Sequence, residues 1–201
     1  MSECLVTGLP NVGKTCFVIN FAEYMGLKEL KFNVRQTAGY TSITTFSPVE
    51  ARRKLISVDS NYTREIQSIK MEIPVGKSFK ELNIIDSCGL SSGINPDEEV
   101  RLAMAKTIRL LRESKMVLHI IDITNIRTTA DRVLFPVDKL IMDYASLEKN
   151  YAVLVNKMDL SSSYTNLEVL REKIRDKIII PISALYQTGF KEVKKLVLSY
   201  V

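Results

Sequence analysis

Glycines at 8 and 13, with Lys14 and Thr15 directly after, have a spacing that can hold a polyphosphate. Gly8-Leu9-Pro10-Asn11-Val12-Gly13-Lys14-Thr15 fills every fixed position of G-x-x-x-x-G-K-[ST]. In such a loop successive backbone N–H groups turn inward as an anion nest, and the helix start behind them adds partial positive charge. Gly8, Asn11, Val12, Gly13, Lys14, Thr15 and Cys16 are the residues expected around the phosphates. Lys14 would act as a point charge on the β- and γ-phosphates, and the Thr15 hydroxyl as a ligand of a bridging Mg²⁺. Two glycines and a lysine can also make a simple tight turn, so the rest of the chain has to decide.

Three further groups bear on that choice. Asp86-Ser87-Cys88-Gly89 follows Leu82-Asn83-Ile84-Ile85, so Asp86 is placed to hold Mg²⁺ through water and the Gly89 N–H to meet a γ-phosphate. Asn156-Lys157-Met158-Asp159 follows the apolar run Tyr151 to Val155. The Asp159 carboxylate can accept from both N1–H and the 2-amino group of guanine, a pair adenine lacks, while Lys157 covers the base. Ser183-Ala184-Leu185 follows Ile178 to Ile182, and its backbone N–H groups can donate to guanine O6. Each group is unremarkable as solvated loop; four of them in order, each after a strand pattern, are not.

The elements between must put these loops on one rim. Cys4-Leu5-Val6 reads as a strand into the first loop, and Val18, Phe21, Ala22 and Met25 fall at helical spacing after it. Residues 26–48 show no sustained period and read as a long loop, followed by β-type runs at Leu55 to Val58, Ile66 to Val75 and Leu82 to Ile85, with a hairpin turn over Pro74 to Ser78. A helix is expected from Asn95 as N-cap with Val100, Met104, Ile108 and Leu111 on one face, then a buried strand over Lys115 to Ile123 and a helix from about Asp131 to Glu148. The C-terminal part adds two strands, a short helix with Leu167, Leu170 and Ile174, and a last helix from Phe190 to Tyr200. Strands alternating with helices predict an α/β fold: a doubly wound, mostly parallel sheet with one antiparallel edge hairpin, its functional loops at the strand carboxyl ends.

The 201 residues, 46% hydrophobic, read as a single domain over 1–201. No secretion-signal pattern opens the chain, and no apolar run nears the ~20 residues of a membrane span, so a soluble cytoplasmic protein is expected, with Cys4, Cys16 and Cys88 as reduced thiols. Cys88 is read as structural, and His119, inside a buried strand, as a core residue rather than a general base. The net charge of +5 reads first as a lysine-rich solvated exterior balancing bound phosphates. Arg52-Arg53-Lys54 and the group Lys173, Arg175, Lys177, Lys191, Lys194 and Lys195 are the candidates for an RNA-contacting patch.

With these motifs the chain resembles the translation-factor-related P-loop GTPases, and within them the Era-like and Obg-like groups. Gly8 to Thr15 is similar to their G-x-P-N-x-G-K-[ST], and Thr44-Thr45-Phe46-Ser47-Pro48 to the T-T-x-x-P of Obg-like switch I loops. The resemblance implies a Mg²⁺-dependent GTPase that binds GTP and GDP and acts as a molecular switch. It implies Thr45, with Thr44 and Thr41 as rivals, as the switch hydroxyl that closes on Mg²⁺, so that Lys14, Thr45, Gly89 and Asn11 serve hydrolysis and Thr15, Thr45 and Asp86 serve the metal. Leu90 stands where Ras-like enzymes carry a water-orienting glutamine, which implies slow intrinsic turnover. Asn11 matches the asparagine of potassium-stimulated Era-like members, which implies K⁺ as a further cofactor; it can equally cap the loop through a local hydrogen bond. An effector protein, a ribosome or RNA, and homodimerisation are the partners this leaves open. The competing readings are a P-loop kinase or ATPase, opposed by Asn156 to Asp159, and a nucleotide-sensing assembly factor with negligible turnover.

Overall fold

The computed structural model describes residues 2–35, 41–56, 66–75, 77–126, 133–148, 150–160 and 163–200. Among them eight strands form one sheet: β1 Ser2–Thr7, β2 Leu30–Arg35, β3 Thr41–Phe46, β4 Ile66–Val75, β5 Ser78–Asp86, β6 Met116–Asp122, β7 Asn150–Asn156 and β8 Ile178–Pro181. Their spatial order is β3-β2-β4-β5-β1-β6-β7-β8. From β5 to β8 the neighbours are parallel; β3, β2, β4 and β5 pair antiparallel. The expected α/β fold with a mostly parallel, doubly wound sheet is present, with an antiparallel part of two hairpins rather than one.

Helices cover both faces. On one side α1 Lys14–Tyr24, α2 Pro48–Leu55 and α6 Phe190–Tyr200 bury Phe17, Phe21, Ala51, Phe190 and Val197 against Val6, Phe32, Ile69 and Ile84. Phe17, Phe21 and Phe190 meet with ring centroids 5.2 to 5.7 Å apart, which locks α1 to α6. On the other side α3 Glu98–Glu113, α4 Pro136–Glu148 and α5 Ser163–Lys173 cover Leu5, Val117, Ile121, Val153 and Val155. No helix among the described residues is long and apolar enough to cross a membrane.

Several expectations change. Residues 26–48 are not one long loop: they contain β2 and β3, paired from Leu30↔Phe46 to Arg35↔Thr41. Leu30, Phe32 and Val34 alternate inward while β3 is polar and only half-buried, so the period is too short and one-sided to register as two strands. Leu55 ends α2 instead of opening a strand, and Ser57 and Val58 lie outside the described residues. The signal was a capping box, in which Ser47 accepts from the Glu50 N–H and Glu50 accepts from the Ser47 N–H. The N-cap of α3 is Asp97, which accepts from the Glu99 and Val100 N–H groups; Asn95 instead accepts from the Asp97 N–H in a turn of its own. The α4 helix begins at Pro136, and Asp131 lies outside the described residues. Gly76, in the expected β4–β5 turn, lies outside them too, but Val75 pairs with Ser78.

His119 is a core residue, as its place in β6 implied. It is fully buried, with Nδ1 2.8 Å from the Tyr151 hydroxyl on β7 and Nε2 2.9 Å from Asp138 Oδ1 on α4. This triad is the polar joint between α4 and the sheet. Tyr151→Phe leaves one buried imidazole nitrogen without a partner and should cost about 1–3 kcal/mol in urea unfolding while leaving nucleotide affinity unchanged; unchanged stability would mean that the hydroxyl is not part of the joint.

Candidate nucleotide-binding site

The loop from Gly8 to Gly13 lies between β1 and α1, at the carboxyl end of the sheet's central strand. Gly13 has φ 96°, and a Cβ there would lie 2.4 Å from Asn156 Nδ2, so position 13 admits only glycine. Lys14 is 6% exposed and donates to the Leu9 carbonyl at 2.8 Å, folding its ammonium back over the loop. Burial lowers its pKa, and the nearby Asp86 opposes that shift. Asn11 is exposed at the crest in the left-handed region, φ 62°, which asparagine tolerates better than most residues.

Asp86 ends β5, in register with Val6. Its Oδ2 accepts from the Thr15 hydroxyl at 2.7 Å, and its Oδ1 is buried with no partner among the described residues. Burial pushes the carboxyl up to about 6, against the pull of Thr15 and Lys14. An orphaned carboxylate oxygen beside a hydroxyl is the donor set a small hard cation takes, so these residues fit Mg²⁺. No group of three or more His, Cys, Asp or Glu side chains that could hold a metal ion occurs among the described residues.

The segment after Asp86 is fastened to the phosphate loop. Leu90 N–H donates to the Gly8 carbonyl at 3.1 Å, and a Cβ on Gly89 would stand 2.7 Å from the Pro10 nitrogen. Leu90 is buried in the apolar layer beneath α3 to α5. Cys88 is buried as well, its thiol pushed up to about 11 by burial, which fits the structural reading.

The other two loops meet the first through one side chain. Asn156, at the end of β7, donates from Nδ2 to the Val12 carbonyl at 2.8 Å and accepts at Oδ1 from the Ala184 N–H at 2.8 Å. The Asp159 carboxylate is exposed and accepts from the Ser183 hydroxyl at 2.6 Å, while Lys157 pairs with Asp122 at the end of β6. Leu185 is 60% exposed at the same turn. Sequence reasoning missed Asn20, whose Nδ2 donates to the Ala184 carbonyl at 2.7 Å and whose Oδ1 accepts from Arg52; an asparagine on the buried face of an otherwise apolar helix was the available signal.

Thus the structure brings together the phosphate loop, Asp86, Gly89, Asn156, Lys157, Asp159 and Ser183 to Leu185. It does not bring Thr45 to them. Thr45 is exposed on β3, opposite Lys31, and at ~4.8 Å per strand and ~3.3 Å per residue it lies roughly 19 Å across the sheet from β1 and ~13 Å back from the rim. Thr44 pairs with Phe32 on the same strand, and Thr41, opposite Arg35, is the rival at rim level. The two basic clusters are spread over the fold: Arg52 is paired with Glu23, Lys173 ends α5, Arg175 and Lys177 lie between α5 and β8, and Lys191, Lys194 and Lys195 lie on α6, across the sheet from α5.

The 50S ribosome-binding GTPase family matches residues 3–157, well over half of the chain. The chain belongs to that family. It is a P-loop GTPase, and the kinase or ATPase reading falls away. Over 177 residues the GTPase is 26% identical to the tRNA modification GTPase MnmE of Mesoplasma florum, a match covering 85% of this chain and 36% of that protein. In fold it is similar to Aquifex aeolicus Era bound to GDP·AlF4⁻, with TM-score 0.62, 18% identity and coverage of 100% of this chain and 56% of the other. It is also similar to the G domain of the T. maritima FeoB iron transporter, with TM-score 0.55, 17% identity and 100% and 98% covered. The chain therefore spans about a third of MnmE and just over half of Era.

The raised carboxyl of Asp86 has a sign that can be measured. Its folded-state pKa of about 6 lies above the ordinary 3.8, so its contribution to metal-free stability is full below 3.8 and is lost as pH rises through 6. A cation needs the carboxylate, so Mg²⁺ affinity of the GDP-loaded protein should fall as pH drops below about 6 and level off above it; Asp86→Asn should make the fall shallower, leaving that of the terminal phosphate, whose own second pKa is about 6, and a flat profile in the unsubstituted protein would contradict the assignment.

Proposed function

We propose that this GTPase holds GTP or GDP across the four strand-end loops with Mg²⁺ at Thr15 and Asp86, hydrolyses GTP slowly, and works as a molecular switch. The observation that carries the proposal is the Asn156 joint, which ties the loop built for phosphates to the loop built for a guanine base. Lys14 and the backbone N–H groups from Gly13 to Cys16 neutralise the β- and γ-phosphates, and Mg²⁺ when bound adds charge compensation on the same oxygens. Asp159, held by Ser183, accepts from the two donors on the guanine edge; the Ala184 and Leu185 region faces O6. Filling the phosphate loop acts on the segment from Gly89 onward through Leu90 and Pro10, and that is the proposed switch.

Slow turnover is part of the reading. Leu90 is buried and cannot orient water, so the rate depends on another group. Asn11, exposed beside the phosphates, is the proposed contact for a K⁺ ion. The description of the family as ribosome-binding, and an Era structure in complex with 16S ribosomal RNA nucleotides, support ribosomal RNA or a ribosome as partner and a cytoplasmic setting. A nucleotide-sensing assembly factor with almost no turnover is the second reading, favoured by the same Leu90.

Nucleotide titration and turnover in one preparation test the proposal. GTP and GDP should outbind ATP by ~10⁴-fold or more, because adenine cannot offer Asp159 the two donors that guanine presents. Asp159→Asn should shift preference toward xanthine nucleotides, and turnover should be faster in K⁺ than in Na⁺, a difference Asn11→Ala erases. Equal affinity for ATP and GTP overturns the guanine assignment; equal rates in the two salts overturn the K⁺ contact alone.

A further inference from the structure

A chain of polar contacts runs from α2 to the turn at residues 183–187. Arg52 of α2 donates from Nη1 to Asn20 Oδ1 at 2.8 Å and to Glu23 Oε2, and from Nη2 to Glu23 Oε1 at 3.4 Å; both acceptors stand on α1. Asn20 is 2% exposed, and its Nδ2 donates to the Ala184 carbonyl at 2.7 Å, with Cys16 Sγ at 3.6 Å as a weaker acceptor. Glu23 also accepts from Gln187 Nε2 at 3.1 Å. One guanidinium thus touches the two side chains that hold Ala184 and Gln187, and it does so from a helix outside the four strand-end loops. The same turn supplies the Ser183 hydroxyl that holds Asp159 and the Ala184 N–H that meets Asn156.

We propose, on the reading of Ser183 to Leu185 as the base-contacting turn, that Arg52 is a positioning residue for guanine and acts through the Asn20 amide. An asparagine amide has a carbonyl on one side and an NH₂ of nearly the same size on the other, so packing alone does not choose between its two orientations. Arginine has donors only. With Arg52 on one side the Asn20 carbonyl faces it, and the NH₂ is left for the Ala184 carbonyl. Without Arg52 the amide is free to turn over, which sets Asn20 Oδ1 against the Ala184 carbonyl, two acceptors face to face. The turn then spends less time in the arrangement that accepts a base, and apparent nucleotide affinity falls by that fraction. The Arg52–Glu23 pair itself has side chains 32% and 34% exposed, so it contributes little to global stability. Coupling of this kind is reciprocal: bound GDP holds α2 in place, and a shift of α2 loosens the grip on the base.

GDP affinity of the full chain is measured with fluorescently labelled GDP, beside thermal unfolding, for the unsubstituted protein and four variants. Arg52→Ala should bind GDP about tenfold more weakly, with Tm within about 4 °C of the unsubstituted protein. Arg52→Lys, which also has only donors, should recover most of the loss. Asn20→Asp keeps an acceptor for Arg52 and strengthens the ion pairing, but it has nothing to donate to Ala184; it should lose at least as much affinity as Arg52→Ala. Arg53→Ala removes the same charge from an exposed position one residue on and should stay within about twofold of the unsubstituted protein. Four results each overturn the proposal: Arg52→Ala within about twofold of the unsubstituted protein, Arg52→Lys as weak as Arg52→Ala, Asn20→Asp as tight as the unsubstituted protein, or an equal loss in Arg53→Ala. Absence of GDP binding by the unsubstituted protein would overturn the nucleotide reading, and the role of Arg52 with it.

Discussion

The nucleotide site depends on one carboxamide. Asn156 ends a strand buried along its length, and its two polar atoms are spent on two other loops, the Val12 carbonyl on one side and the Ala184 N–H on the other. A buried amide that satisfies both its donor and its acceptor fixes the distance between what it joins, because losing either bond leaves a desolvated polar group. Asn20 continues the joint from α1 to the Ala184 carbonyl, so the base loop is tied both to the phosphate loop and to the helix that follows it. A ligand with phosphates at one end and a base at the other then meets a rim whose two halves keep a set separation.

Against that rigid frame the phosphate end is electrostatically unfinished. Lys14 and Asp86 are both buried, and burial drives each toward its neutral form: the ammonium pKa falls and the carboxyl pKa rises. Each also stabilises the other's charge, yet Asp86 Oδ1 still lacks a partner among the described residues. Phosphate oxygens and a divalent cation are the groups that complete both sides at once.

Much of this could be read from the sequence, for a physical reason. The four chemical loops are short, each is anchored to a strand by an apolar run, and their glycine, lysine and aspartate spacings are set by backbone geometry within a few residues. Gly13 is legible because only glycine fits against Asn156. Asn156 itself was legible as part of a base-reading motif, but not as a joint, since its partners are 144 and 28 residues away. Thr45 illustrates the opposite failure. Its Thr-Thr-x-x-Pro context matches a switch loop, but local sequence does not say that Thr41–Phe46 pairs with Leu30–Arg35 as an outer strand. Edge strands with polar, half-exposed residues carry little hydrophobic period, so pairing across the chain decides them. The basic clusters show the same limit, because charge counted along the chain does not reveal that Arg52 is committed to Glu23 or that α5 and α6 face opposite ways.

The most direct test is the GDP affinity of Asn156→Ala measured beside its thermal unfolding. The substitution removes both bonds of the joint without touching Lys14, Asp86 or Asp159, and the account predicts a loss of about a hundredfold in GDP affinity with the fold retained. GDP affinity within about twofold of the unsubstituted protein, in a folded variant, would contradict the claim that this joint holds the site together.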